Sequence, residues 1–247
     1  MGLPDWEAFL ENHIEGFFNR KFSSELEPVE VRKALEHELL RKKKKSTRGD
    51  YVPNVYEVRM SLEDYQRLSS RRFIEDLSIF LQKLLITSDV YMDGTLTINL
   101  LKSEDITKNI CRVSSFYEDE KATPANEVEA GTLVLDRKSF AVPLNLPPVR
   151  LFASLTVEEG DDEGACLEIG DHKIYIGRRS ENEFLLTDPN ASRLHAYVDY
   201  VRHRHVLYDA QSMNGTFVNG KRIDSIVLQP DDLIQIGNTV LRYEVPE

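Results

Sequence analysis

Residues Trp6, Phe9, Leu10, His13, Ile14, Phe17, Phe18 and Phe22 recur at intervals of three and four, so they share one face and predict an amphipathic helix over 6–22. A second helix is expected from Pro28, whose fixed φ suits a first turn. It would turn Val31, Ala34, Leu35, Leu39 and Leu40 inward and close on the cations Arg41–Lys45 before Gly49. Val55, Tyr56, Val58 and Met60 read as a short strand after Pro53-Asn54. Ser61, with Asp64 three residues on, caps a helix expected to run to about Ile86 through Leu68, Phe73, Leu77, Phe80, Leu81, Leu84 and Leu85. Asp93-Gly94 marks a turn between two short strands, the second carrying Leu96, Ile98 and Leu100, and Ile110–Phe116 is the last strand. These elements make residues 1–117 an α+β N-terminal domain.

The pattern then lapses. EDEKATPANEVEA, from Glu118 to Ala130, is acidic and has no apolar period, and Leu133–Leu151 is broken by Pro143, Pro147 and Pro148, so residues 118–150 read as linker and connector. Beyond it come short runs at even spacing: Leu151–Val157, Ala165–Ile169, Lys173–Ile176, Glu183–Leu186, His195–Val201, His205–Asp209, Thr216–Val218, Leu233–Ile236 and Val240–Tyr243. Such spacing predicts an all-β sandwich over 151–247, with a hairpin at Asn219-Gly220. Two independently folded units are expected, with proteolysis falling first between them.

Composition narrows the function classes. With 41% hydrophobic and 30% charged residues the chain of 247 residues is globular, and no apolar run approaches the roughly 20 residues that span a bilayer. The acidic start MGLPDWEAFLENHIEG is unlike a signal peptide, so a cytoplasmic location is expected. Cys111 and Cys166 stand in no metal-ligand spacing and read as small buried apolar residues. Lys plus Arg total 31 against 42 Asp plus Glu, a net of −11, which argues against nucleic-acid binding. The run Arg41–Lys45 with Arg48 is the local exception. Residues 1–120 hold 18 basic against 22 acidic residues, so a solvated helix end followed by a mobile loop is expected there, with nucleic-acid contact or weak peripheral contact to anionic lipid through Arg41–Lys45 as the alternatives.

Candidate chemistry gathers in three loops of the second half: Gly177-Arg178-Arg179, Ser192-Arg193-Leu194-His195 and Ser212-Met213-Asn214-Gly215-Thr216. Guanidinium forks bind oxyanions in bidentate fashion, hydroxyls and loop amides donate to the remaining oxygens, and an Asn amide both donates to and accepts from a peptide backbone. Taken singly, each is also an ordinary turn residue of an all-β domain. No P-loop, Rossmann glycine pattern or kinase set is present, and His203 and His205 alternate on one expected strand face without a carboxylate partner. No catalytic residue, metal or cofactor is expected.

The loops, in order, read G-R, then L-x-D-x-x-x-S-R-x-H-A at Leu186–Ala196, D-x-x-S-x-N-G-T-x-V-N-G at Asp209–Gly220 and L-x-x-D-D-x-I-x-I-G at Leu228–Gly237. This set resembles the forkhead-associated (FHA) domain, a phosphothreonine-reading β-sandwich, from about Leu151 to the C-terminus. The resemblance implies that Arg178 and Ser192 contact the phosphate, that Arg193 adds charge and backbone donation, and that Asn214 holds the main chain of the bound peptide. It makes Gly177, His195, Asp209, Gly215, Thr216 and Gly237 scaffold residues, with His195 orienting the Ser192 loop from behind. One position departs from the family pattern: Met213 stands where a Thr or another polar residue is common, which puts affinity in question. Ala191, before Ser192, is smaller than the branched residue common there.

Residues 2–117, through F-x-x-x-F-S-S-E-L-E-P-V-E-V at Phe18–Val31, V-P-N-x-Y-x-V at Val52–Val58 and S-x-x-D-Y at Ser61–Tyr65, resemble the N-terminal domain paired with an FHA domain in a group of bacterial signalling proteins. The two resemblances imply a non-catalytic phosphothreonine-binding adaptor in Ser/Thr-kinase signalling, linked in actinobacterial relatives to cell-wall synthesis. Its partner would be a Ser/Thr kinase, a pseudokinase or a kinase substrate carrying phosphothreonine. The competing expectation is a phosphorylation-independent interaction scaffold with a degenerate FHA site.

Overall fold

The computed structural model describes residues 25–47, 49–118 and 150–246. The expected helix over 6–22, Arg48 of the basic run, and all but the ends of the linker and connector lie outside them. Helix α1 (Pro28–Arg41) opens on a capping box between Glu27 and Glu30. It is followed by β1 (Asp50–Val52), β2 (Val55–Met60), α2 (Leu62–Leu68), α3 (Arg71–Thr87), β3 (Val90–Met92), β4 (Thr97–Lys102) and β5 (Cys111–Phe116). Strand β2 is central, parallel to β4 and antiparallel to β5, while β1 and β3 form a separate parallel pair. The helices cover these strands around one core that includes Val31, Leu35, Leu39, Tyr56, Val58, Leu77, Leu81 and Leu85.

The α1 stripe is Val31, Leu35, Glu38 and Leu39; Leu40, expected inward, is exposed because it falls off that face. Buried Glu38 accepts from Ser115 N (3.1 Å) and Oγ (2.8 Å), tying α1 to β5. The single helix expected to Ile86 is two. Ser69 leaves helical geometry, and the Ser70 hydroxyl accepts from Phe73 N (3.2 Å) to cap α3 afresh. Gly94 takes a positive φ of 81°, as a D-G turn requires, but the strands on either side do not pair with each other; β3 joins β1 and β4 joins β2. Much of the basic run is engaged within the chain: Arg41 with Glu38 (2.5 Å), Lys43 with Asp50 (2.8 Å) and Lys44 over the Tyr117 ring (4.0 Å).

The second half is a β-sandwich. One sheet has the order β13-β12-β15-β16-β6-β7 and the other β14-β11-β10-β8-β9. The strands are β6 (Leu151–Glu159), β7 (Cys166–Gly170), β8 (Ile174–Gly177), β9 (Phe184–Leu185), β10 (Ala196–Val201), β11 (Arg204–Asp209), β12 (Thr216–Val218), β13 (Lys221–Ile223), β14 (Ser225–Val227), β15 (Leu233–Ile236) and β16 (Thr239–Glu244). Asn219 and Gly220, both at positive φ, close the β12–β13 hairpin. Cys166 is exposed and Cys111 half-buried, contrary to the buried reading of both; Cys166 occupies an outward position of an edge strand. His203 is not on a strand face. With Arg202 it forms the β10–β11 turn at φ 61° and 52°, and His205 alone points into the core.

That turn meets the N-terminal half. His203 Nε2 lies 3.0 Å from the Gly94 carbonyl, Arg202 bonds Asp93 (3.1 Å) and the Tyr51 hydroxyl (2.8 Å), Tyr200 donates to Gln82, and Ile86 of α3 packs into the sandwich core. Arg204, fully buried, bonds Asp89 at 2.6 Å and lies over the Tyr91 ring at 5.4 Å. Asp89 itself takes φ 51°, which Asn tolerates, so Asp89→Asn removes the charge without backbone strain. It leaves the buried guanidinium without its carboxylate. Because Asp89 is largely exposed, the expected loss is only about 1–2 kcal/mol, read from urea denaturation of the full chain. An unchanged midpoint would mean the pair contributes nothing.

Candidate functional site

Strands β10 and β11 run from the turn at the N-terminal half to the three chemistry-bearing loops at the other end of the sandwich. There Gly177 ends β8 beside the Ser192 loop. A Cβ on it would stand 2.7 Å from the Ser192 carbonyl oxygen and 2.8 Å from that of Arg193, so only glycine admits this approach. The approach lets Arg178 N donate to Ser192 O (3.0 Å) and Arg179 N to Arg193 O (3.0 Å), aligning the two basic loops.

Behind Ser192 sits His195, buried. Ser192 N donates to its Nδ1 (2.9 Å), which must therefore be unprotonated, and Nε2 then donates to the Gly215 carbonyl (3.2 Å). Burial lowers its pKa below the ordinary imidazole value, against the opposing pull of the Gly215 carbonyl. A neutral ring thus joins the second loop to the third. Ser192 Oγ accepts from Met213 N (3.1 Å), and among the described residues no protein acceptor faces its own proton.

The third loop is built on Asp209. Its carboxylate accepts from Ser212 N (3.0 Å), Ser212 Oγ (2.6 Å) and Thr216 Oγ1 (2.7 Å), while Ser212 Oγ accepts from Gly215 N (2.9 Å). Burial pushes this carboxyl up, but the bonds from Ser212 and Thr216 outweigh it and hold the group below the usual carboxylate range. The tip of the loop is exposed: Met213 is 88% exposed, and Asn214 donates from Nδ2 to Asn190 O (2.9 Å) with its Oδ1 facing no donor.

The structure brings all of the sequence-named residues to this end, including Gly237, which turns β15 into β16 against Asp188 and Asn190. Arg178, Arg193, Met213 and Asn214 are exposed, Ser192 is half-buried, and Gly177, His195, Gly215 and Thr216 are buried behind them. Ala191 is buried, its N–H on Asp188 O (3.1 Å). Three supports were not singled out from sequence. Asp188, buried, accepts from Asn190 N (2.8 Å) and Asn238 N (2.6 Å). Asn182 donates to Arg193 O (2.8 Å), and Arg222 lies against Gly215. Asp188 was visible inside the L-x-D motif; Asn182 and Arg222 carry no local signal.

Charge distribution marks the same end. Of nine Lys and Arg residues between 151 and 246, Lys173, Arg202, Arg204 and Arg242 are paired with carboxylates, at 2.9, 3.1, 2.6 and 2.5 Å. Arg178, Arg179, Arg193, Lys221 and Arg222 have no carboxylate partner among the described residues; Arg178, Arg179 and Arg193 stand on the loops, Arg222 lies against Gly215, and Lys221 follows the Asn219-Gly220 turn. A half-buried hydroxyl whose proton faces no protein acceptor among the described residues and guanidiniums without carboxylate partners give this rim the chemistry to take an anion. No cluster of metal-ligating side chains is found among the described residues.

A fold and a set of loops of this kind define an FHA domain. The FHA family model matches residues 174–237, and that of the FhaA N-terminal domain matches residues 3–114, so the chain joins an FhaA N-terminal domain to an FHA domain. Among curated proteins it is similar to the glycogen accumulation regulator GarA of Mycobacterium tuberculosis (34% identity over 92 residues, 37% of this chain and 56% of GarA). It is also similar to the ABC transporter ATP-binding/permease protein Rv1747 of the same species, at 37% identity over 70 residues, 28% of this chain and 8% of the transporter. The oxoglutarate dehydrogenase inhibitor of Corynebacterium efficiens aligns at 36% identity over 85 residues, 34% of this chain and 60% of the inhibitor. The chain thus spans less than two thirds of the length of these relatives.

Proposed function

We propose that this protein is a non-catalytic adaptor whose FHA domain docks on a phosphothreonine made by a Ser/Thr kinase while its N-terminal domain holds a second partner. The observation that carries the reading is the gathering of cations without carboxylate partners on and beside the loops that hold Ser192, in a chain of net charge −11. Arg178, Ser192 and Arg193 take the phosphate, and Asn214, through its free Oδ1 and second N–H, takes the peptide backbone. Gly177, His195, Asp209, Gly215 and Thr216 hold these groups in place. The partner is a phosphorylated kinase, pseudokinase or kinase substrate in the cytoplasm, in a pathway touching cell-wall synthesis or cell division. The glycogen accumulation regulator GarA and the oxoglutarate dehydrogenase inhibitor, both similar to this chain, are regulators by name, which supports a regulatory role. No described helix is long and apolar enough to cross a membrane.

Calorimetry of the full chain against hits from a phosphopeptide library, each with its unphosphorylated twin, tests the reading. Binding is expected only with phosphate, and phosphothreonine is expected to beat phosphoserine because its methyl group buries apolar surface. Equal binding of the twins would instead favour a phosphorylation-independent scaffold.

Met213→Thr probes the departure from the family pattern. The Met213 amide is committed to Ser192, and its exposed thioether is at best a weak acceptor with no proton for a phosphate oxygen. A threonine hydroxyl there adds a donor to a charged acceptor, a bond class worth about 1.5–3 kcal/mol when well formed. Water already serves an open rim, so a gain of about two- to tenfold in phosphopeptide affinity is expected, with little change for the unphosphorylated twin. Weaker binding would show that the methionine already packs against the ligand.

A further inference from the structure

We infer that the ligand carries a second anionic group beside the phosphothreonine and that Arg222 reads it. This rests on the phosphothreonine reading above and assigns a selectivity element to the same rim. A phosphate of about −1.5 to −2 charge is served by two cations, which Arg178 and Arg193 provide. Arg179 and Arg222 are in excess of that need, and Arg222 has a defined position.

Gly215 defines it. The carbonyl of Gly215 accepts from His195, which backs the Ser192 loop, whereas the place of its missing side chain is filled by Arg222: a Cβ there would stand 2.7 Å from Arg222 Nε and 3.1 Å from Nη2. With φ at 82° and no side chain, Gly215 lets the guanidinium lie along the backbone immediately after Asn214. Arg222 follows the tight Asn219-Gly220 turn, and its cross-strand partner is Phe217 of β12, so its base is fixed by the sheet. It is exposed, and no described carboxylate or carbonyl takes its N–H groups. A peptide whose backbone lies on Asn214 therefore passes a positioned guanidinium with free donors, a match for a carboxylate or a second phosphate on a flanking residue.

Fluorescence anisotropy on the full chain tests this with peptides sharing one phosphothreonine: neutral flanks, Asp scanned through the flanking positions, and phosphoserine or Lys at the best Asp position. Wild type should bind the best Asp peptide about five- to tenfold more tightly than the neutral one and the Lys peptide more weakly than either. Preference for phosphoserine without one for Asp would identify a doubly phosphorylated ligand, and preference for both a general acidic one. Arg222→Ala should bring the Asp-to-neutral ratio within about twofold, and Arg222→Lys should keep part of it, with melting temperature as the folding control. No Asp or phosphoserine preference in wild type, or one unchanged by Arg222→Ala, overturns the inference while phosphate-dependent binding still stands. Binding that is phosphate-independent for every peptide overturns both readings.

Discussion

Arg178→Ala is expected to weaken phosphopeptide binding at least about a hundredfold. Bonds to a charged acceptor contribute about 1.5–3 kcal/mol each, a guanidinium fork makes two of them, and about 1.4 kcal/mol is tenfold in affinity. Ser192→Ala should cost about ten- to a hundredfold, because it deletes one donor to the phosphate and also strips Met213 N–H of its acceptor, loosening the third loop. Neither change touches the core: Arg178 is exposed, and Ser192 keeps its backbone bonds to Arg178 and His195. Calorimetry with one phosphopeptide, paired with thermal melts, separates lost binding from lost fold. Less than fivefold weakening by Arg178→Ala, with the melt unchanged, would mean that the phosphate does not sit where the loops converge.

These loops are legible because their chemistry lies in short-range spacing. Asp209, Ser212, Gly215 and Thr216 make a closed set of bonds within eight residues, so the motif and the geometry are nearly the same information. Arg222 belongs to the same rim but reaches it through strand pairing, and nothing in its neighbourhood marks it. The break before α3 is hidden for another reason. Apolar spacing continues from Leu68 to Phe73 across it, and only the Ser70 hydroxyl on Phe73 N records the new start. Three-residue strands such as β1, β13 and β14 are too short to show alternation, and their existence depends on the strand beside them. The junction between the halves is the least legible feature. Arg204 and Asp89 are 115 residues apart, and a charged residue in a strand reads as solvent-facing until its distant partner is known.

The loop rim around Ser192 and the sandwich core share a dependence on neutral histidine, and the protein should therefore lose stability in acid well above the range where carboxylates titrate. His205 is buried with Nδ1 2.7 Å from the Tyr243 hydroxyl and Nε2 2.8 Å from the Gly170 carbonyl, an arrangement that a neutral ring satisfies as acceptor and donor. Burial lowers its pKa to about 4, and burial also lowers those of His195 and His203. An unfolded histidine titrates near 6.5, so between these values the unfolded chain binds more protons and stability falls as pH falls. The loss begins near pH 6.5 and is complete for His205 at about pH 4, where at about 1.4 kcal/mol per pKa unit this residue alone costs on the order of 3 kcal/mol. Asp64, Asp89, Asp188 and Asp209, held below the usual carboxylate range, remove further stability only below about pH 4. Urea midpoints from pH 8 to 4 should show a plateau above 6.5 and a steady decline beneath it, shallower in His205→Phe. Peptide affinity should fall over the same range, first as the phosphate gains a proton near pH 6 and then as a proton on His195 Nδ1 confronts the Ser192 N–H, which cannot accept it. A midpoint flat down to pH 4.5 would show that these imidazoles charge without strain in the folded chain, and the neutral-histidine account of both core and rim would fail.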